Sequence, residues 1–269
     1  MTRWRPSPFM QLSFGLHAAA GAGLLLAPSA WPLAVGALLA DHAVLTLAGL
    51  LPRSRLLGPN LTRLPPAAVA RREIALTIDD GPDPQVTPQV LDLLDAAGAK
   101  ATFFCIGRRA AAHPALVREI VARGHAIENH SEHHWKRFST FGFQGMHAEV
   151  AAAQATLGQL TGRPPRFFRA PAGLRNPFLD PVLSRLGLRL AAWTRRAYDT
   201  RNGNPAQVLA RLAGAGRNAL AAGDILLLHD GNAARGPNGE AVILAVLPPL
   251  LARIGAAGLV PVTLGDACP

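Results

Sequence analysis

The sequence predicts an α/β fold: a parallel sheet wrapped by helices, preceded by a hydrophobic helical hairpin. Three observations lead there. Between residues 71 and 264, short apolar runs alternate with helix-spaced stretches, the beat a parallel sheet needs for its crossovers. Gly98, Gly124 and Pro205 fall where that beat changes, and such residues stop or open helices. Ahead of it lie two apolar stretches, 9–30 and 31–51, each near the roughly 20 residues that cross a bilayer as a helix.

Pro28 and Pro32 punctuate the join of the hairpin. A cleaved signal peptide would use Arg3 and Arg5 as its basic start and Ala27-Pro28-Ser29 for cleavage, but it leaves the second stretch unexplained. A membrane hairpin over 1–51 accounts for both. Asp41 and His42 fall mid-way along the second stretch, where an ionised aspartate costs roughly 2.5–3.5 kcal/mol. They need a partner, and His17 in the first stretch is the candidate. Arg3, Arg5, Arg53 and Arg55 flank the outer ends and the join is uncharged, so the positive-inside rule places both ends in the cytoplasm. Residues 52–70, with Gly58, Pro59, Pro65 and Pro66, read as a linker.

From Arg71 onward the elements follow in order. Strands are expected at 74–78, 101–106, 125–128, 188–193, 224–228 and 260–264 from their apolar runs. Helices are expected at 87–97, 114–122, 149–160, 177–186, 205–213 and 242–257 from apolar spacing. There is no internal repeat. A chain of 269 residues with 49% hydrophobic composition has ample material for a buried core.

The net charge of +10 comes almost wholly from scattered arginines, since Lys100 and Lys136 are the only lysines. Sparse aromatics and the lack of a basic run argue against a nucleic-acid partner. A basic balance suits anionic membranes or acidic glycans. Cys105 and Cys268 form no metal or disulfide framework; Cys105 follows an apolar run and reads as buried, and Cys268 as part of a frayed end.

Four islands carry the chemistry. Thr77-Ile78-Asp79-Asp80-Gly81 ends a strand, and two adjacent carboxylates there are not easily both free anions, so one is expected on a cation. His130 and His134, in His130-Ser131-Glu132-His133-His134, are four apart; on one helical turn their rings share a side and a metal ion. One aspartate and two histidines leave coordination open for water and substrate, as in catalytic sites. Zinc suits this set best, with cobalt, manganese or nickel also fitting. His133, Glu128 and Glu132 read as surface or supporting groups. The other islands are Arg169-Ala170-Pro171-Ala172-Gly173 and Leu226-Leu227-Leu228-His229-Asp230.

In this order and spacing the islands resemble the polysaccharide deacetylase family, carbohydrate esterases of family 4 with the NodB homology domain. The resemblance spans 71 to about 264. It implies a distorted, incomplete (β/α) barrel and removal of N-acetyl or O-acetyl groups from a carbohydrate, a reaction at carbon–nitrogen bonds other than peptide bonds. It assigns Asp80, with His130 and His134, to the metal, and Asp79 to the base. Arg169 would contact Asp79, the Ala172 N–H would hold the oxyanion, and Leu226 and Leu228 would shape a slot for the acetyl methyl. His229 would be the acid, oriented by Asp199. The chain departs from the family at Ala172, where many relatives carry an aromatic, at Thr200, where tryptophan is frequent, and at Arg196, in place of an aspartate. These departures imply an altered substrate preference. Two rival readings remain: a membrane-anchored module that binds glycans without catalysis, and a deacylase of a lipid-linked amino sugar. Membrane anchoring in a bacterial-type cytoplasmic membrane is expected; family habit favours the outer side, opposite to the arginine pattern.

Overall fold

The computed structural model describes residues 4–269; Arg3 lies outside them. Its first elements are α1 (Pro8–Leu26) and α2 (Trp31–Leu50), antiparallel and separated by a short turn of helix at Pro28–Ala30. Pro opens both helices, where its missing N–H costs nothing. Both are long and apolar enough to cross a membrane. Leu12, Leu25, Leu26, Leu33 and Leu39 are each more than half exposed, a large apolar surface for water to cover. Between the helices Ser13 Oγ donates to Asp41 Oδ2 at 2.7 Å, and His17 Nε2 faces His42 Nε2 at 3.3 Å. The partner required by Asp41 is therefore Ser13 first, with His17 Nδ1 3.8 Å away.

The rest is α3 (Pro66–Ala70), β1 (Glu73–Asp79), α4 (Thr87–Ala96), β2 (Thr102–Cys105), α5 (Gly107–Ala112), α6 (Pro114–Ala122), β3 (Ala126–Asn129), α7 (Phe143–Thr161), β4 (Phe167–Phe168), α8 (Leu179–Leu186), β5 (Arg189–Leu190), β6 (Arg195–Arg196), α9 (Pro205–Ala213), β7 (Ile225–His229), α10 (Val242–Ala256), β8 (Val260–Val262) and α11 (Leu264–Ala267). All strand pairs are parallel, in the order β5-β4-β3-β2-β1-β7-β6. β1 gives one edge to β7; β2 takes the upper part of the other edge and β8 the lower part. The sheet curls into a half-barrel with helices outside, because parallel strands need helical crossovers that bury the outer face.

Alternation along β1 sorts the two faces. Ile74, Leu76 and Ile78 pack outward with Leu91, Leu94, Val246 and Leu250 of the helices. Ala75, Thr77 and Asp79 face inward, where Phe104, Trp193 and Leu227 lie. Cys105 is buried as expected; Cys268 is buried too, its carbonyl taking Arg166 Nη2 at 2.9 Å, so this end is packed rather than frayed.

Strands β5 and β6 do not pair, and residues 52–70 lie across the gap. Leu61 N donates to Leu190 O, Ala192 N to Leu61 O, and Leu64 N to Gly223 O, each at 2.9 Å. Leu57, Leu64 and Ala68 are buried. The stretch expected as a linker thus joins the body, because an open edge of unpaired backbone groups must find partners. The hairpin is fastened to the same region: Arg175 N donates to Gly49 O at 3.1 Å, and a Cβ on Gly49 would come within 2.2 Å of Arg175 O.

Candidate active site

The islands converge at the carboxyl ends of the strands. Asp79 and His229 are register partners on β1 and β7, so both side chains face inward side by side. Asp80 follows at φ 73°, a left-handed turn that swings its carboxylate toward the histidine loop after β3. Five of the six non-glycine residues with positive φ among the described residues are Asp80, Ser131, His134, Ala172 and Tyr198. Such conformations each cost about 1–3 kcal/mol and gather where geometry serves function.

Asp80 Oδ1 lies 3.2 Å from both His130 Nε2 and His134 Nε2, and the donor atoms these three side chains offer lie within 4.8 Å of one another. The expected helical turn for these histidines is not present: 130–134 is a bend, with Ser131 at φ 63° and His134 at φ 54°. Ser131 Oγ accepts the His134 N–H at 3.0 Å and so sets the second ring. The donor chemistry fits a divalent cation. His130 Nδ1–H donates to Arg169 O at 2.8 Å, so Nε2 is the ring nitrogen that faces the carboxylate and is the one that would hold an ion. Asp80 Oδ1 is buried without a hydrogen-bond partner, a costly state unless a cation fills the space. Burial, with His130 alongside, pushes His134 down to about 4, so this imidazole is neutral. Burial opposes the charge on Asp80, yet His130, with His229 and His134, holds its carboxyl well below the usual range.

Asp79 stands beside this cluster, Oδ2 3.8 Å from His130 Nε2. The contact expected with Arg169 is there: Nη1 donates to Asp79 Oδ1 at 2.7 Å and to Thr77 Oγ1 at 2.7 Å. Arg169 Nη2 donates to Ala192 O at 2.8 Å, and its guanidinium lies 4.1 Å from the centre of the Phe104 ring. An arginine only 1% exposed is tolerable because carboxylate, hydroxyl and carbonyl satisfy its donors. Ala172 occupies the turn after Arg169 at φ 55° and ψ 6°.

His229 Nδ1–H donates to Asp199 Oδ1 at 2.9 Å, and the other oxygen of Asp199 accepts His229 N at 2.8 Å. Burial disfavours charge on His229, but the Asp199 hydrogen bond and charge, with Asp79 and Asp80, raise it to about 9. Leu226 and Leu228 are not at the site. With His229 inward, alternation turns both outward into the layer beneath the helices, and Leu227 faces inward.

Several supporting residues were not singled out from the sequence. Thr77 receives Arg169 and donates to Leu226 O; its place two residues before Asp79 was the available signal. Asp230 is buried and takes the Thr87 hydroxyl while packing on Gly81, where a Cβ would come within 2.5 Å. Arg109 donates to Asp80 O and Gly231 O, tying the two loops, and nothing local in the sequence marks it. His133 binds Glu149, and Glu128 accepts two backbone N–H groups, so both are supports.

A family model described as Polysaccharide deacetylase matches residues 67–191. A peptidoglycan-N-acetylglucosamine deacetylase of Bacillus cereus is 34% identical over 179 residues, covering 66% of this chain and 81% of that protein. The chain belongs to the polysaccharide deacetylase family. A chitooligosaccharide deacetylase of Azorhizobium caulinodans is 35% identical over 159 residues, covering 59% and 73% of the two chains. Among solved structures, a family 4 carbohydrate esterase from Streptomyces lividans in complex with acetate has a TM-score of 0.62 at 29% identity, covering 70% of this chain and 91% of that one. This deacetylase has the NodB-type half-barrel, and it is a hydrolase. The family match includes Asp79, Asp80, His130, His134, Arg169 and Ala172, and ends before Asp199 and His229.

Proposed function

We propose that this protein is a metal-dependent hydrolase that removes acetyl groups from the amino group of a sugar, anchored to a membrane by its hairpin. The observation that carries the reading is the convergence of Asp80, His130 and His134 next to two separate proton-handling pairs, Asp79–Arg169 and His229–Asp199. Asp80, His130 and His134 would hold the ion, zinc by preference for this ligand set. When bound, it supplies Lewis acidity to water and to the acetyl carbonyl.

The chain's own groups do the rest. Asp79, aimed by its hydrogen bond from Arg169, accepts a proton from the attacking water. The Ala172 N–H steadies the carbonyl oxygen as negative charge develops there, a task that needs only main chain. His229 carries the proton that leaves with the amine, and Asp199 fixes its tautomer and keeps it charged. The two roles fall to separate groups with separate partners, Arg169 for Asp79 and Asp199 for His229. Acetate release by the full-length, metal-loaded protein from a panel of acetylated glycans tests the reading; no acetate from any of them would sink it.

The His229–Asp199 pair predicts a pH effect. With His229 at about 9, the acid is protonated below that pH and lost as pH rises through it, so kcat/KM falls on the alkaline side near pH 9. In Asp199→Asn the burial that disfavours charge is no longer opposed by a carboxylate. The alkaline limb then moves toward acid by about one pH unit or more, read from the pH profile of acetate release. An unchanged limb would remove His229 as the acid.

A further inference from the structure

Trp193 stands between the catalytic turn and a cationic group that the chemistry above does not use. A Cβ on Gly173, the residue after Ala172, would come within 2.6 Å of the Trp193 ring and 2.7 Å of Pro52. Pro52 is two residues past the end of α2. Arg53 Nη1 donates to Thr194 O at 3.1 Å, and Gly49 O takes Arg175 N. The end of a membrane-length helix therefore touches the turn that carries Ala172, and anchor and site mouth form one body.

Arg196 also packs against Trp193. It is in register with inward-facing Leu227, and its guanidinium lies 5.3 Å from the Trp193 ring centre and 4.9 Å from that of Tyr198, which is 48% exposed. Its Nε is buried without a hydrogen-bond partner. The neighbouring carboxylates are committed elsewhere: Asp224 to Arg195 and Arg63, Asp199 to His229. Arg211 lies over Tyr198 as well, at 5.6 Å. A half-buried guanidinium with one unpaired donor, held against two aromatic rings, is suited to an anion beside a sugar ring. A phosphate joins both halves, because it links a sugar to a lipid that this anchor would meet.

We propose that the substrate is an N-acetylated amino sugar joined through phosphate to a membrane lipid, with the phosphate bound by Arg196 between Trp193 and Tyr198. This rests on the deacetylase reading above. The test uses the full-length, zinc-loaded protein in vesicles of phosphatidylglycerol and phosphatidylethanolamine. Three probes are compared: a long-chain prenyl phospho-N-acetylglucosamine in the same vesicles, soluble N-acetylglucosamine 1-phosphate, and neutral triacetylchitotriose. The lipid probe is expected to give the highest kcat/KM, by about tenfold or more over each of the others. Arg196→Gln should erase most of its advantage over the triose, mainly through KM, and Arg196→Lys should restore part of it. Equal rates on the lipid probe and the triose, or an Arg196→Gln loss of the same size on both, would overturn the proposal. Equal rates on lipid and soluble phosphates would overturn its membrane half. Acetate from the triose alone overturns this proposal and leaves the deacetylase reading standing; acetate from no probe overturns both.

Discussion

Asp79→Asn is expected to purify with its metal and to release acetate at least about 100-fold more slowly than the parent protein, the usual scale for losing a positioned base. The amide matches the carboxylate in size, so the turn at Asp80 and the two histidines keep their positions. What disappears is the ability to take a proton. A second consequence comes from Arg169, whose buried Nη1 faces Asp79 Oδ1 at 2.7 Å. Removing one partner of a buried ion pair leaves the other charge uncompensated, at a cost of about 3–5 kcal/mol. The variant should therefore melt at lower temperature while its metal content, measured by elemental analysis, stays near one per chain. Normal turnover in a folded, metal-replete Asp79→Asn protein would remove the base assignment.

Asp80→Asn separates the neighbouring carboxylate by the opposite pattern, losing metal and activity together. Asp80 Oδ1 is the one anionic donor between two imidazole nitrogens. A neutral amide there removes the charge that matches a divalent cation. Metal affinity should fall by more than about 100-fold, the upper end of what loss of a merely supporting group costs. Dialysis against a metal buffer followed by elemental analysis reads this directly. Full metal retention in Asp80→Asn, with wild-type acetate release, would show that the ion, if needed, sits elsewhere.

Much of this was legible in the sequence where local signals were strong. The helices at Pro114–Ala122 and Pro205–Ala213 match their expected bounds, because Pro opens each and Gly follows. Helix α5 (Gly107–Ala112) went unread: Gly-Arg-Arg-Ala-Ala-Ala carries little apolar periodicity, and its place is set by packing on α7. Two-residue strands such as β4 and β6 exist only because a neighbour offers an edge. At the site, the identity of the residues was legible and their aim was not. The spacing of His130 and His134 suggested a helical turn, whereas left-handed Ser131 and His134 bring the rings together. The outward direction of Leu226 and Leu228 follows from the inward direction of His229 by strand alternation, a parity check available in the sequence.

The proline-rich stretch over the gap between β5 and β6 has a practical bearing on how the enzyme can be cut down. A fragment begun at Arg71, where the family resemblance starts, would discard Leu61 and Leu64 with the hydrogen bonds they make to Leu190, Ala192 and Gly223. It would also strip Leu64 and Ala68 from the inner apolar layer that contains Trp193. A fragment begun near Pro52 keeps both sets of contacts, so it is expected to melt at higher temperature than one begun at Arg71.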